Sequence, residues 1–214
     1  MENIFEKITH GIIVEVDDIN QAIEIDKHAH GVFVRNFDIE MIEEIKGEVS
    51  LPLIASCRVG HFVEAMILEK IGVDIIDESE PGDIEYIKKK DFSTPFICKV
   101  NSIEEADDRI EEGAKILRTD FGEIEDVLWL IKEGKERKLK ALLFASLEIA
   151  SPADIALLFQ MGADGIIISS NVFRSSNPPK LLDSIVNASS NYNNIEKLVE
   201  LSRQIKKILP PETK

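Results

Sequence analysis

Short apolar runs alternate with amphipathic stretches along the whole chain. Runs rich in Ile, Val, Leu and Phe occupy 11–16, 31–35, 52–57, 73–77, 95–100, 115–119, 141–146 and 165–169, about 20 to 26 residues apart from start to start. They are too short for buried helices and lack strict apolar–polar alternation, which is the pattern of strands covered on both faces in a parallel sheet. Between them the apolar period lengthens. Over 61–71, Val63, Ile67 and Ile71, with Ala65 and Leu68 beside them, predict a helix with its apolar stripe on the sheet and Glu64, Glu69 and Lys70 toward water. Gly72 ends it, because glycine takes the left-handed C-cap conformation without steric cost. Asp17-Asp18, the capping-box pattern from Ser102 to Glu105, and Ser151 followed by Pro152 are further helix starts.

Strict alternation of buried strands with helices implies right-handed βαβ units around a parallel sheet. Eight such units close an α/β (β/α)8 TIM barrel. Little is left over: 36–50 is a minimal connection and 123–138 a single helix. After the eighth run, 178–190 reads as the last barrel helix. An extra C-terminal helix is expected at 195–209, with Leu198, Leu201, Ile205 and Ile208 on one side, ended by Pro210-Pro211. The expectation is one domain over 1–209 that includes this helix, followed by a frayed tail at 210–214.

Composition narrows the function classes. With 214 residues and 44% hydrophobic content, the chain can bury one substantial core. Forty acidic against 25 basic residues give a net charge of −15, which opposes nucleic acid as a partner. No run of about 18 apolar residues and no basic-then-apolar leader occurs, so no membrane partner and a cytoplasmic location are expected. Cys57 and Cys98 fall in apolar runs without paired spacing and read as buried reduced thiols.

Barrel chemistry belongs at the carboxyl ends of the strands. There the order of the chain places Glu15, Asp77, Glu78, Asp120 and Glu148, with Lys99 and Arg58 as the main cations. These acids allow three readings: carboxylates held by local hydrogen bonds, a site for a divalent cation such as Mg²⁺ or Mn²⁺, or the acid/base groups of a small-molecule lyase or isomerase built on Glu15, Asp77 or Asp120. No metal-ligating set stands out. His61 reads as a helix-start residue on the functional edge, Trp129 as outer-layer packing, and 132–140 as a solvated helix end. Ser169, Ser170 and Asn171 could offer donors to a small anion.

The stretch 58–80, RVGHFVEAMILEKIGVDIIDESE, resembles the synthase subunit of pyridoxal phosphate synthase, the PdxS/SNZ family, whose pattern runs K-A-R-I-G-H-x-V-E-A-x-x-L-E-x-x-G-V-D-x-I-D-E-S-E. The resemblance resumes at 113–119, 150–154, 160–165 and 172–175. It implies the barrel fold, and an imine chemistry in which a lysine ending the third strand condenses with ribose 5-phosphate and a second lysine after the sixth takes over the carbon skeleton. Imine formation needs an unprotonated amine. Ser56 stands at the first lysine position and Asp120 at the second. Glu15 matches the family's first-strand aspartate and Asp77 its fourth-strand acid. Where the family places glycines around phosphate, this chain has Leu147-Glu148 and Ser169-Ser170-Asn171.

The resulting expectation is a PdxS-like chain without synthase activity, with a structural or regulatory role in vitamin B6 biosynthesis and no cofactor. The family's catalytic positions are Glu15, Asp77, Ser56 and Asp120; Ser169, Ser170, Asn171, Arg58 and His61 are the ligand-contacting candidates. The expected partner is an active synthase paralogue or another copy of the chain. The glutaminase docking that the resemblance implies is argued against by the short connections. The alternatives are the lyase or isomerase above and a retained synthase that uses Lys99.

Overall fold

The computed structural model describes residues 3–80, 87–206 and 208. Eight parallel strands close into a barrel in sequence order, β1 Ile12–Glu15, β2 Gly31–Val34, β3 Leu53–Arg58, β4 Ile75–Glu80, β5 Phe96–Lys99, β6 Ile116–Arg118, β7 Leu142–Leu147 and β8 Gly165–Ile168. Pairing of β1 with β8, Ile12 opposite Ile166, completes the ring. Helix α1 Ile4–Ile8 precedes β1; α2 Ile19–Ile25, α3 Ile39–Glu48, α4 Phe62–Ile71, α5 Ile103–Glu112, α6 Ile124–Arg137, α7 Pro152–Met161 and α8 Pro178–Ser190 surround the barrel. The extra helix α9 Ile195–Ile205 packs on α7 and α8. Its last expected residue, Leu209, and the tail 210–214 lie outside the described residues.

The core has two compartments. Inside the barrel, each strand contributes one large apolar side chain, Ile13, Phe33, Ile54, Ile75, Ile97, Ile116, Phe144 and Ile167, all fully buried. Ile8 of α1 joins this cluster, so the short N-terminal helix helps close the barrel's lower end. The second and larger compartment lies between the strands and the helices. Gly165 is required by the first: a Cβ there would meet the Phe144 ring at 2.5 Å, which leaves room only for hydrogen.

Three expectations are corrected. The β4–β5 connection carries, among the described residues, only a 3-10 turn, Lys89–Asp91, and no α-helix. Helix α4 is rotated: Glu64, Ala65 and Leu68 face inward while Phe62, Val63 and Met66 are exposed. Apolar residues occur all round this helix, so its period does not select a face, and Arg58 draws the Glu64 carboxylate inward. The Ser102 cap is one-sided. Ser102 Oγ accepts from the Glu105 N–H, but the Glu105 carboxylate accepts from the Asn101 N–H instead of closing back on Ser102. The reciprocal box forms at Ser151 and Asp154.

Candidate functional site

Because side chains alternate along a strand, the residues two beyond the buried apolar layer also face inward. That second layer holds Glu15, Arg35, Ser56, Asp77, Lys99, Arg118, Ser146 and Ser169. It forms the floor of the barrel mouth and is polar throughout.

Asp77 and Arg118 form its centre. Arg118 Nε donates to Asp77 Oδ1 at 2.9 Å and Nη2 to Oδ2 at 3.1 Å, a two-pronged pair with both residues buried. Ser56 Oγ donates to the same Oδ2 at 2.7 Å, and the Ser79 hydroxyl also bonds that oxygen. Arg118 further donates to Ser79 Oγ at 2.6 Å and to the Thr119 carbonyl at 3.0 Å. Burial alone would lower the pKa of the guanidinium, but the charge and hydrogen bonds of Asp77 hold it above the ordinary value. Most of the donors and acceptors at this centre are committed to one another.

Phe121 covers the centre from above. Its ring lies 5.7 Å from the Arg118 guanidinium and 4.6 Å from that of Arg35, and it stacks on Phe33 of the buried layer. The neighbouring Asp120 is open to solvent. Its side chain is 61% exposed and pairs with Lys99 at 3.2 Å, which outweighs partial burial and holds its pKa below the ordinary range.

On the other side of the mouth, Glu15 lies 2.8 Å from Arg35 Nε, a close charge contact without a hydrogen bond from that nitrogen. Glu15 also accepts from the Ser170 N–H at 3.2 Å. Burial dominates here and raises the Glu15 pKa despite Arg35. Glu148 accepts from Ser169 Oγ at 3.0 Å and from the Asn171 side-chain amide at 2.5 Å. Ser169 Oγ in turn accepts from the Asn171 N–H at 3.2 Å.

Three residues expected at the mouth lie elsewhere. A register shift between Cys57 and Arg58 turns Arg58 outward, where it donates to Glu64 on α4 through its backbone N–H, Nε and Nη2. His61 caps the same helix, its Nδ1 accepting from the Glu64 N–H at 3.2 Å. Glu78, next to Asp77, faces the opposite side of β4. There it is fully buried, accepts from the Gly60 N–H at 2.9 Å and pairs with Lys89 at 2.6 Å, in a network completed by Arg109 and Glu112. The two cysteines are free and buried, as expected.

The mouth is therefore closer to charge balance than expected, with four acids against three cations. Its cations are Arg35, Lys99 and Arg118, against Glu15, Asp77, Asp120 and Glu148. Arg35 and Arg118 were legible only through strand parity, since each stands two residues beyond an inward apolar residue. Among the described residues, no group of three or more His, Cys, Asp and Glu side chains is placed to hold a metal ion, and no helix is long and apolar enough to cross a membrane.

The SOR/SNZ family profile matches residues 2–126, more than half of the chain. The chain belongs to the SOR/SNZ family. Among its SOR/SNZ relatives is the pyridoxal 5'-phosphate synthase subunit PdxS of Methanococcus maripaludis, 33% identical over 260 aligned positions that cover 92% of this chain and 87% of that one. The PdxS subunits of Bacillus cytotoxicus and Caldanaerobacter subterraneus subsp. tengcongensis are 36% and 35% identical and cover 86% and 94% of this chain, 76% and 88% of their own. An alignment of 260 positions exceeds this chain's 214 residues, so the M. maripaludis relative carries segments with no counterpart here. Among solved structures, thiamine phosphate pyrophosphorylase from Pyrococcus furiosus superposes with a TM-score of 0.70 at 15% identity, covering 89% of this chain and 99% of that one. FabK from Thermotoga maritima gives 0.64 at 16%, covering 80% and 61%. At such identities the likeness is of fold alone.

Proposed function

We propose that this SOR/SNZ member acts in vitamin B6 biosynthesis as a PdxS-like subunit that does not itself make pyridoxal phosphate, in a structural or regulatory role beside an active synthase subunit. The observation that carries the reading is the state of the two positions where the PdxS resemblance calls for imine-forming lysines. Ser56 lies in the floor of the mouth with its hydroxyl committed to Asp77, and Asp120 is solvent-exposed and paired with Lys99. Neither side chain can form a Schiff base. Lys99 is the one lysine of the inward layer among the described residues, and it is engaged with Asp120. The relatives are named as subunits of a synthase, which is the ground for seeking the partner among active subunits of that kind or in a second copy of this chain.

The lyase or isomerase alternative loses two of its three acids to fixed partners: Asp77 to Arg118 and Asp120 to Lys99. Glu15, buried and with a raised pKa, is the acid that remains.

Genetic complementation and co-purification together test the proposal. Expressed alone in cells that lack the active synthase subunit, the chain is expected not to restore growth without vitamin B6. Expressed with that subunit, the tagged chain is expected to retain it through purification. Growth on the chain alone would refute the proposal.

A further inference from the structure

We propose that the amino-terminal pole of the barrel, opposite the mouth, binds a small organic phosphate monoester in an apolar hollow rimmed by Lys115, Lys135 and Lys140. The proposal stands independently of the silent-subunit reading.

The hollow, about 520 Å³ in volume, lies where the starts of β6, β7 and β8 meet α1 and the end of α6. Backbone hydrogen bonds hold its frame. Leu142 N–H donates to the Lys115 carbonyl at 3.0 Å, Asp164 N–H to the Leu143 carbonyl at 2.8 Å, and His10 N–H to the Asp164 carbonyl at 2.6 Å. Phe5 and Leu142 form the base, half-buried against the apolar layer inside the barrel, and Leu139 and Ala141 continue the wall onto the outer core. The fully buried apolar layer separates this hollow from the mouth.

The charge of the rim is unbalanced. Three of the nine lining residues are lysines, and only Asp164 is an acid. That acid is already engaged: Oδ2 accepts from the Leu143 N–H at 2.9 Å, and Oδ1 lies 4.0 Å from the Lys135 ammonium. Among the described residues, no carboxylate pairs with Lys115 or Lys140. This is against the composition, since 40 acids stand to 25 bases in the chain. Lys135 lies in the last turn of α6, where the helix carbonyls favour a cation. Lys115 and Lys140 lie outside the helix and lack that reason. Two unpaired ammoniums and a third loosely held one, above an apolar base, match a dianionic head on an apolar body. A carboxylate, with one charge, would leave a lysine unmatched.

The test is thermal unfolding of the whole chain at fixed ionic strength, with phenyl phosphate, inorganic phosphate and benzyl alcohol as probes. Phenyl phosphate is expected to raise Tm with the logarithm of its concentration. Inorganic phosphate, which lacks the ring, should raise it less, and benzyl alcohol, which lacks the charge, not at all. Lys115→Gln combined with Lys140→Gln changes two exposed side chains and should weaken the apparent affinity for phenyl phosphate about tenfold, the loss of two partly exposed charge contacts. Lys70→Gln combined with Lys206→Gln removes two exposed lysines elsewhere and should behave as wild type. No rise with phenyl phosphate would overturn the proposal, as would an equal rise with benzyl alcohol or inorganic phosphate. So would an unchanged response in the Lys115 and Lys140 double variant, or an equal loss in the Lys70 and Lys206 one.

Discussion

Replacing Arg118 by methionine removes the charge at the centre of the mouth while keeping an unbranched side-chain stem. Asp77 would then be a fully buried carboxylate with only the Ser56 and Ser79 hydroxyls as donors. Breaking a buried ion pair by deleting one partner costs about 3–5 kcal/mol, because the surviving charge has lost its compensation. The upper half of that range is expected, since Arg118 also surrenders hydrogen bonds to Ser79 Oγ and the Thr119 carbonyl. For a chain of this size each kcal/mol lowers Tm by roughly 2–4 °C. Urea unfolding followed by fluorescence of Trp129, the single tryptophan, measures the loss. Asp77→Asn combined with Arg118→Met takes out both charges and should recover at least half of it, because removing a buried pair whole is far cheaper than halving it. A loss below about 1 kcal/mol in Arg118→Met, or a double variant whose loss is the sum of the singles, would refute the reasoning.

Two other perturbations test separate parts of the structure. Gly165→Ala places a methyl group 2.5 Å from the Phe144 ring and should cost about 1–3 kcal/mol by overpacking, measured in the same urea assay; a neutral effect would mean that the ring is not held against β8. Glu15 is raised above the ordinary carboxylate value of 4.5, mainly by burial. The folded chain therefore keeps a proton that the unfolded chain releases, and that contribution to stability is lost as pH rises from 4.5 through the folded value. Glu15→Gln has no such proton to lose, so its stability relative to wild type should improve as pH is raised across that window; a relative decline would contradict the burial argument.

The barrel was legible because its eight strands are apolar runs bounded by turn residues, and that signal needs no tertiary knowledge. The face of α4 was not, because Phe62, Val63 and Met66 are as apolar as the residues that are buried, and the deciding interaction, Arg58 with Glu64, depends on a register shift in β3. The mouth was read half correctly. Ser56, Asp77, Glu15 and Ser169 fall in the inward layer by parity. Glu78 has the opposite parity and belongs to the buried network with Lys89 outside the barrel. Arg118 lay within the motif that carries the resemblance, yet its role required knowing that β6, one strand beyond β5, brings it within reach of Asp77 on β4. Phe121 could not have been found by period or spacing, since it enters the mouth from a loop.

The central claim is that no lysine of this barrel serves as an imine former. Intact-protein mass spectrometry after incubation with ribose 5-phosphate, ammonium and borohydride tests it directly, with Lys99→Ala as the companion variant. An unchanged mass in both proteins is the predicted result. A trapped adduct in the wild type that disappears in Lys99→Ala would contradict the account and show that the imine chemistry has moved to β5.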